Sequence, residues 1–522
     1  MSKFLLEVFC EEIPAKMQLD CSQIFKNILC EALNIKSEVV HYCTPRHFAF
    51  TIDDFNLKTK IEIKGPKTNA PENAIQGFMN KYGVHNKNDL LAVDGILFIE
   101  RPLSHEEAII ELSNSISSAM HKMVWPKSMV WGSNSIRWIR PIHAITCMLD
   151  DKVIPVEFGH IKSSNITYSH RSQGSTAIEI KSADASQYIQ LLKQNGVIVS
   201  QDERRQSILD QIHKIIDPLS LELINDEELL NEVIGLVENL FVLLGKIDQQ
   251  FMSLPREVLV TSLKSHQKYL LLNKGKDLAP YFIIVSDIHP DDAGATIVEG
   301  NEKVLRARLS DAQYFIKTDL KAGLESFSER LHKVQFHKDI GSVYEKVLRI
   351  KSLSGAICKQ LNIPSDNAER AVKLCKNDLI SQMVGEFPEL QGIIGYYYAI
   401  EQGETPEVAL AIRDHYKPSG PNDSLPETLI GCIVAIADKL DTLQSLFGIG
   451  IKPTSTKDPY ALRRAAIGIL RMISTRQELL DNLNVKSLGI SDDVIEFIKD
   501  RGKQMFKDSQ FDEVCNAFGK NN

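Results

Sequence analysis

The sequence changes character at about Gly300, and this change limits the folds open to the chain. Before it, β-prone runs at residues 4–9 and 47–52 mix with helical patterns such as residues 72–82. After it, glycine and proline thin out and long helical patterns follow one another. We therefore predict a multidomain α+β protein, in which a mixed α/β N-terminal region with antiparallel sheets is followed by an all-helical region.

Several local patterns make this prediction specific. Residues 258–272 alternate and residues 281–285 are strongly β-prone, so we predict a small antiparallel sheet there. The tripeptide KGP at residues 64–66 predicts a turn. Asp458 and Pro459 predict the start of a helix, with Asp458 capping free N–H groups and Pro459 in the first turn. Other helices are predicted over residues 302–317, 324–337, 343–361, 365–380 and 425–447.

Charge and cysteine usage exclude several classes of protein. The chain has 60 Lys and Arg against 68 Asp and Glu, a net charge of −8, so it does not bind nucleic acid through an overall positive charge. Its nine cysteines contain no CxxC pair, which fits a reducing cytosol and excludes a zinc knuckle. No signal peptide or long apolar run is present, so we expect a cytoplasmic protein without membrane contact.

The common catalytic motifs are missing. The chain has no GxxxxGK[ST], GxGxxG after a strand, GxSxG or HExxH, and none of its 14 histidines precedes an Asp. Asp438 and Asp441 lie three residues apart on one predicted helix face. Such a pair could bind a metal or act as acid and base, or it could cap a helix, pair with Lys376 or Arg413, or face water.

Three basic stretches contrast with the acidic whole. Residues 302–351 carry a surplus of four positive charges and residues 451–476 a surplus of five. The third stretch, RWIRPIH at residues 137–143, places Arg beside Trp. Arginine neutralises phosphate, and a neighbouring aromatic ring suits stacking on an unpaired base. The alternative for each stretch is a solvated helix face.

Residues 458–473 give the clearest helical pattern. Arg464 and Arg471 are seven residues apart and so project together, with Arg463 in a neighbouring row. The helix is therefore predicted to dock one apolar face and present one basic face. The predicted apolar stripe consists of Leu462, Ala466, Ile469, Leu470 and Ile473.

A series of sequence blocks carries a resemblance to a known family. They are FLLEVFCEEIP near the start, TPRHFAF (44–50), KGP (64–66), MVWGSNSIRWIRPIH (129–143), SHR (169–171), LPREVLVTSLKSHQKY (254–269), GNEKVLRARLSDAQYF (300–315), MVGEFPELQGIIG (383–395), AIADKLDTLQSLFGIG (435–450) and DPYALRRAA (458–466). In order and spacing these blocks resemble the beta subunit of bacterial tetrameric glycine–tRNA ligase, from the start of the chain to near its end. One block departs slightly, because Ser169 stands where the family has Gly.

The resemblance implies a subunit of an aminoacyl-tRNA ligase. The family's alpha subunit carries the class II catalytic core, and its beta subunit binds tRNA(Gly) and supports charging with glycine, as ATP becomes AMP and pyrophosphate. The resemblance thus implies no catalytic residue, metal or cofactor in this chain, with ATP and Mg used by the alpha subunit. The implied partners are the alpha subunit, in an α2β2 tetramer, and tRNA(Gly), and not DNA.

The resemblance also implies a domain division. We predict a mixed α/β region over residues 1–325, with two subdomains that bind tRNA or the partner. Residues 326–475 are predicted to form a helical domain similar to HD proteins but without metal ligands, so no metal is expected at Asp378, Asp438 or Asp441. Residues 476–522 are expected to be a remnant of a helical anticodon-binding domain, so that the chain is truncated or its anticodon contact is reduced.

Eight arginines are the candidates for tRNA binding. We expect Arg463 or Arg464 to contact the tRNA backbone and the other to pair with a carboxylate such as Asp458, unless both form interdomain ion pairs. Two other functions stay open: an HD-like hydrolase acting on a nucleotide or a misacylated tRNA, and a non-catalytic scaffold. The absent His-Asp dipeptide disfavours the first, and the basic stretches disfavour the second. The candidates are Arg137, Arg140, Arg171, Arg306, Arg308, Arg463, Arg464 and Arg471.

Overall fold

The computed structural model describes residues 2–133, 135–454 and 457–519, and the chain divides into two units. The first unit contains Met1–Lys246 and Lys268–Glu302, and the second contains Ile247–Gln267 and Lys303–Asn522. Each unit is therefore discontinuous in sequence. The three-part division at residues 325 and 475 stays a prediction.

The main sheet of the first unit has seven strands built around Ser2–Cys10. Its continuous apolar run suits a strand that is covered on both faces. Leu6 pairs with Phe50 on one side and with Cys147 on the other, both antiparallel. The strand order is Val40–Cys43, His47–Phe55, Ser2–Cys10, Ile142–Leu149, Ile161–Ser164, Glu157–Phe158, with Lys152–Val153 paired to Ile142–Leu149 and a parallel pairing between Ile142–Leu149 and Ile161–Ser164.

Helices cover both faces of this sheet because alternate side chains point to opposite sides. Phe4, Leu6 and Val8 share a core with the helices Ala15–Leu33 and His105–Lys122. Leu5 lies on the other face, in a core with the helix Ala185–Gln194. The remaining described helices of this unit are Glu72–Lys81, Lys87–Asp89, Arg171–Gln173, Gln201–Ile216, Asp217–Leu219 and Glu227–Ile234.

Three smaller antiparallel sheets complete the first unit, which confirms the predicted mixed architecture. The strands of the four-stranded sheet follow the order Glu222–Leu223, Leu270–Lys274, Asp277–Ser286, Phe241–Lys246. The other two sheets consist of Lys60–Lys67, Ile96–Pro102 and Leu90–Val93, and of Ile166–Tyr168 with Ala177–Glu179.

Two predictions in this region are wrong. Residues 258–269 do not form a strand, because the helices Arg256–Thr261 and Ser262–His266 begin after Pro255 and the sheet starts at Leu270. The apolar positions there repeat with helical spacing. The KGP tripeptide is not a turn either, since the strand Lys60–Lys67 continues through it with a shift of register after Lys64.

The second unit is helical around one central helix, Leu429–Gly448. This helix is apolar on nearly all sides, which suits a position inside a helical core. It packs against Val343–Gln360, Pro406–Asp414 and Leu462–Thr475. The other described helices are Gln249–Ser253, Arg256–Thr261, Ser262–His266, Leu324–Lys333, Asp366–Leu374, Asn377–Ile380, Gln382–Glu386, Pro388–Leu390, Ile393–Glu401, Gln477–Asn482, Lys486–Leu488, Asp492–Met505 and Asp508–Asn516.

Two helices of this part of the chain differ from the prediction. The helix Ala295–Ala322 is longer than predicted and crosses the boundary between the two units. The predicted helix over residues 324–337 ends at Lys333 and gives way to a hairpin, Gln335–His337 with Gly341–Ser342. Among the residues that the structure describes, no helix is long and apolar enough to cross a membrane.

Candidate nucleic-acid interface

The helix Leu462–Thr475 has the two faces that its sequence predicts, because every residue of the predicted apolar stripe is buried. The Asp458 carboxylate accepts the N–H groups of Leu462 (2.9 Å) and Arg463 (3.0 Å), which confirms the predicted cap. Pro459 lies in a turn before the helix rather than in its first turn, since Ala461 at the helix start has a positive φ of 55°. The expected pairing with Asp458 thus involves the backbone of Arg463.

The basic face of this helix contacts backbone carbonyls rather than carboxylates. Arg464 donates to Ser419 (3.4 Å), and Arg471 donates to Gly420 (3.1 Å) and Asp423 (2.8 Å). The predicted joint projection of the two arginines is therefore confirmed. Carbonyl oxygens are neutral, so these contacts orient the guanidinium groups without cancelling their positive charge. Arg463 likewise donates to a carbonyl, that of Thr454.

The two candidates on the long helix Ala295–Ala322 are neutralised by acids. Arg306 donates two hydrogen bonds to Asp248, at 2.7 and 3.3 Å, and Arg308 contacts Glu386 at 2.8 Å. Arg306 holds the pKa of Asp248 below its ordinary value. A phosphate that binds either arginine must replace an ion pair already in place.

In the first unit, the block RWIRPIH places its aromatic ring in the core. Trp138 is fully buried, with its ring 4.8 Å from that of Trp125 and 5.7 Å from that of Phe158. The prediction that this aromatic suits stacking on a base is therefore wrong. Arg137 is exposed, and Arg140 donates to the Ile139 carbonyl at 2.9 Å.

Blocks that are far apart in the sequence meet near one end of the main sheet. Arg171 pairs with Glu12 and lies 3.4 Å from Asp287, and His143 contacts Glu11 at 2.6 Å. The guanidinium of Arg46 lies over the ring of Phe9, which stacks on Tyr168. Sequence reasoning selected Arg171 here and missed four charged or titratable residues. The missed residues are Glu11, Glu12, Arg46 and His143. The sequence signal that could have identified them is that each lies beside or within an apolar strand.

A buried carboxylate lies beneath this end of the sheet. Glu7 accepts hydrogen bonds from Thr167 (2.6 Å), Tyr188 and His47 (3.3 Å). Burial raises the pKa of Glu7, but His47 and these hydrogen bonds lower it further, to below its ordinary value. Burial lowers the pKa of His47, but Glu7 and Glu238 raise it above its ordinary value. Glu7 and His47 therefore form an internal ion pair.

In the second unit, buried lysines occupy the space between the two aspartates. Lys346 lies 2.9 Å from Asp438 and 3.1 Å from Asp441, and Lys376 lies 3.2 Å from Asp438. Arg349 lies 2.6 Å from Asp441, so that these five side chains form a row of alternating charges. Burial raises the pKa of Asp438, but the two lysines lower it far more.

Of the alternatives for the aspartates, pairing with Lys376 is confirmed for Asp438. Arg413 pairs instead with Asp414 (2.8 Å) and Glu427 (2.6 Å). Among the residues that the structure describes, no three His, Cys, Asp or Glu side chains form a group suited to a metal ion. The absence of a metal stays a prediction.

Two other titratable groups near this row are internal. Burial lowers the pKa of His415 well below its ordinary value, and its ring contacts the Ile412 carbonyl at 2.6 Å. Burial raises the pKa of Asp378 to about 6, although its carboxylate accepts the N–H groups of Gly392 and Gly395. The arrangement is a buried polar core, whose carboxylates are already held by lysine ammonium groups and backbone amides.

Comparison with known proteins gives a consistent result. Residues 4–517 match the family model described as glycyl-tRNA synthetase beta subunit. The chain is 40% identical over 517 residues to the glycine–tRNA ligase beta subunit of Phenylobacterium zucineum, covering 96% of this chain and 76% of that protein. It is also 40% identical over 537 residues to the subunit of the same name from Rickettsia bellii, covering 99% and 80%. Because the match runs through both units, this chain belongs to the glycyl-tRNA synthetase beta subunit family.

Proposed function

We propose that this chain is the tRNA-binding subunit of a cytoplasmic glycine–tRNA ligase. It works with an alpha subunit in an α2β2 tetramer that joins glycine to tRNA(Gly), with ATP converted to AMP and pyrophosphate. The observation that carries this proposal is 40% identity over nearly the whole chain to proteins named as beta subunits of that ligase. A beta subunit requires a partner, so the catalytic residues and the site for ATP and Mg are assigned to the alpha subunit.

The buried aspartates support this division of labour. A hydrolase of the HD type needs carboxylates that are free to bind metal. Here Asp438 and Asp441 already contact Lys346, and both side chains are buried. The alternative of a hydrolase acting on a nucleotide or a misacylated tRNA is therefore disfavoured.

Three of the eight candidate arginines are best suited to a phosphate. Arg464 and Arg471 lie on one basic face and retain their charge, and Arg137 is exposed. Guanidinium binds phosphate through two N–H donors. Arg171, Arg306 and Arg308 already pair with carboxylates, which makes them weaker candidates.

A reconstitution assay tests the proposed function. The purified chain is mixed with the alpha subunit of the same organism, radiolabelled glycine, ATP, Mg and tRNA(Gly). We expect glycyl-tRNA only when both subunits are present, and no glycine-dependent ATP–pyrophosphate exchange by this chain alone. Full charging by the alpha subunit without this chain, or exchange by this chain alone, would contradict the proposal.

Direct binding separates the tRNA-binding subunit from a scaffold. The complex is titrated with tRNA(Gly) at increasing salt, because phosphate contacts release counterions and make binding steeply salt-dependent. We expect tight binding at low salt and a steep slope. A complex that assembles normally, while this chain adds no tRNA affinity to that of the alpha subunit, supports the scaffold instead.

A further inference from the structure

The long helix Ala295–Ala322 presents a second basic surface, distinct from its two paired arginines. Six exposed residues of this helix, all in the second unit, form what we call the lysine–tyrosine stripe: Lys303, Ala307, Ser310, Tyr314, Lys317 and Lys321. The steps between neighbours in this series are four, three, four, three and four residues, an average of 3.6, so the six residues lie along one line on the helix.

The charges of the stripe are uncompensated. Within the described part of the chain, no acidic partner lies within salt-bridge distance of Lys303, Lys317 or Lys321. The exposed acids nearest to the stripe on this helix are Glu299, four residues before Lys303, and Asp311, three residues before Tyr314, while Asp319 is buried and accepts a hydrogen bond from Tyr398. The stripe is therefore positively charged at its two ends.

The shape of the stripe suits close approach by a polymer. Ala307 and Ser310 are small, so the middle of the line is low between the lysines. Tyr314 rises beside them with 63% of its surface exposed. An aromatic ring among lysines is the combination that single-stranded nucleic acid uses, with cations on the backbone and a ring against a base. Lys303 and Lys321 are about 27 Å apart along the helix axis, far enough to contact several phosphates.

We propose that the lysine–tyrosine stripe binds the backbone of tRNA, with Tyr314 stacking on an unpaired base. The inference rests on the proposed function and adds to it the residues of one interface. Lysine suits this role because its ammonium group binds phosphate as a point charge without fixed geometry. Arg306 and Arg308 on the same helix pair with Asp248 and Glu386, so the stripe supplies the charge that these two arginines do not.

The test compares two triple variants within the reconstituted complex. K303Q/K317Q/K321Q removes the three charges of the stripe, and glutamine has nearly the same helix propensity as lysine. The matched control, K122Q/K152Q/K214Q, removes three exposed lysines of the first unit. At about 0.1 M salt we expect the stripe variant to bind tRNA(Gly) more than about a hundredfold more weakly, with a salt slope reduced by about three, one for each lost phosphate contact. The control should keep the wild-type slope.

Tyr314 is tested separately. Y314A is expected to weaken tRNA binding about fivefold at every salt concentration, because stacking is not screened by ions, whereas Y314F retains the ring and should bind like the wild type. Equal binding by Y314A and wild type would overturn the stacking contact.

The outcomes distinguish the stripe from the proposed function. If the wild-type complex charges tRNA(Gly) and the stripe variant has unchanged affinity, slope and KM for tRNA, the stripe inference is overturned alone. Normal tRNA binding with loss of the alpha subunit from the purified complex would also overturn it, and would assign the surface to an acidic protein partner. If the wild type neither binds nor charges tRNA, the proposed function itself fails. Should the triple variant melt at a lower temperature, the three single variants decide, each with an expected slope change of about one.

Discussion

Buried charge is held in different ways at two places, one in each unit. In the first unit, fully buried Arg204 donates to the carbonyls of Cys43 (2.9 Å), Ile198 (2.6 Å), Val199 (3.1 Å) and Ile234 (3.2 Å). Its charge is therefore stabilised by neutral backbone groups, together with the nearby carboxylate of Glu238, which opposes the lowering of its pKa by burial. In the second unit, buried charges of alternating sign contact one another in a row, in the order Lys376, Asp438, Lys346, Asp441, Arg349.

This difference determines what a single substitution leaves behind. Removing Arg204 leaves neutral carbonyls without donors, and each buried unsatisfied group costs about 1–3 kcal/mol. Removing one member of the row leaves an unpaired buried charge, which costs about 3–5 kcal/mol. The two losses should therefore be similar in size, and the row of the second unit should be the more easily rescued by loss of a second charge.

The sharpest test of this difference is Asp438→Ala. It removes the carboxylate that contacts both Lys346 and Lys376, so we expect a loss of about 3–5 kcal/mol in the free energy of unfolding. Urea unfolding followed by circular dichroism measures it. Adding Lys376→Met should restore part of the stability, because it removes one of the two orphaned charges. A loss below about 1 kcal/mol, or strictly additive effects, would show that the row is not energetically coupled.

Arg204→Met should have an effect of similar size, about 4 kcal/mol, because four buried carbonyls lose this donor and the buried Glu238 carboxylate loses a nearby positive charge. Arg205→Met is the matched control, since Arg205 is partly exposed and pairs with Glu227 at the surface, where an ion pair contributes about 0–1 kcal/mol. The same urea measurement applies. Equal losses for the two variants would mean that the four carbonyl contacts of Arg204 add nothing beyond a surface pair.

The pH dependence of the two units should have opposite signs between pH 7 and 5. The pKa of His415 is lowered in the folded state, so below about 6.5 the unfolded chain binds more protons at this residue, which destabilises the second unit by about 2 kcal/mol at pH 5. Asp378, whose pKa is raised to about 6, takes up a proton in the same window and offsets about 1 kcal/mol of this loss, so the stability of the second unit falls by the difference. The pKa of His47 is raised, so its contribution to the first unit is complete below about 6.5 and is lost as pH rises through the folded pKa.

Hydrogen exchange resolved by peptide can follow both units in one sample. On acidification, amide protection should decrease in the second unit relative to the first after correction for intrinsic exchange. His415→Phe removes this titrating group, so that protonation of Asp378 dominates and the second unit should gain protection on acidification. Parallel responses of the two units in the wild type would refute the opposite signs.

Arg471→Gln is expected to have the smallest effect, about 1 kcal/mol. Like Arg204, Arg471 donates to backbone carbonyls, here those of Gly420 and Asp423, but it is only partly buried and water can replace it. A thermal melt of the variant measures the change. A loss as large as that of Arg204→Met would show that carbonyl contacts matter equally inside and at the surface.

Local patterns allowed much of this fold to be predicted from the sequence. The central strand Ser2–Cys10 is a continuous apolar run, and the two faces of Leu462–Thr475 follow from helical spacing. The Asp458 cap is also local, since it joins residues four and five positions apart. In each case the sequence signal lies within a few residues, although the strands that pair with Ser2–Cys10 lie far away in the sequence.

Contacts between distant residues could not be predicted in this way. Asp438 was correctly given Lys376 as one alternative, but Lys346, 92 positions before Asp438, carries no sequence signal of its contact. The pattern RWIRPIH predicts an aromatic ring that can stack on a base, whereas tertiary packing buries Trp138. Pattern reasoning could select the arginines of the candidate interface, but not the groups that already occupy their donors.

The order of strands in the four-stranded sheet has a consequence for synthesis on the ribosome. Among the described residues, the outer strands Glu222–Leu223 and Phe241–Lys246 pair with Leu270–Lys274 and Asp277–Ser286 respectively, which emerge later. About 40 residues separate the end of Phe241–Lys246 from the end of the sheet, or about 2–8 s of translation. The nascent chain therefore carries unpaired strand edges during this time, a natural target for ribosome-bound chaperones. The first unit closes only after residues 247–267, which belong to the second, have been made.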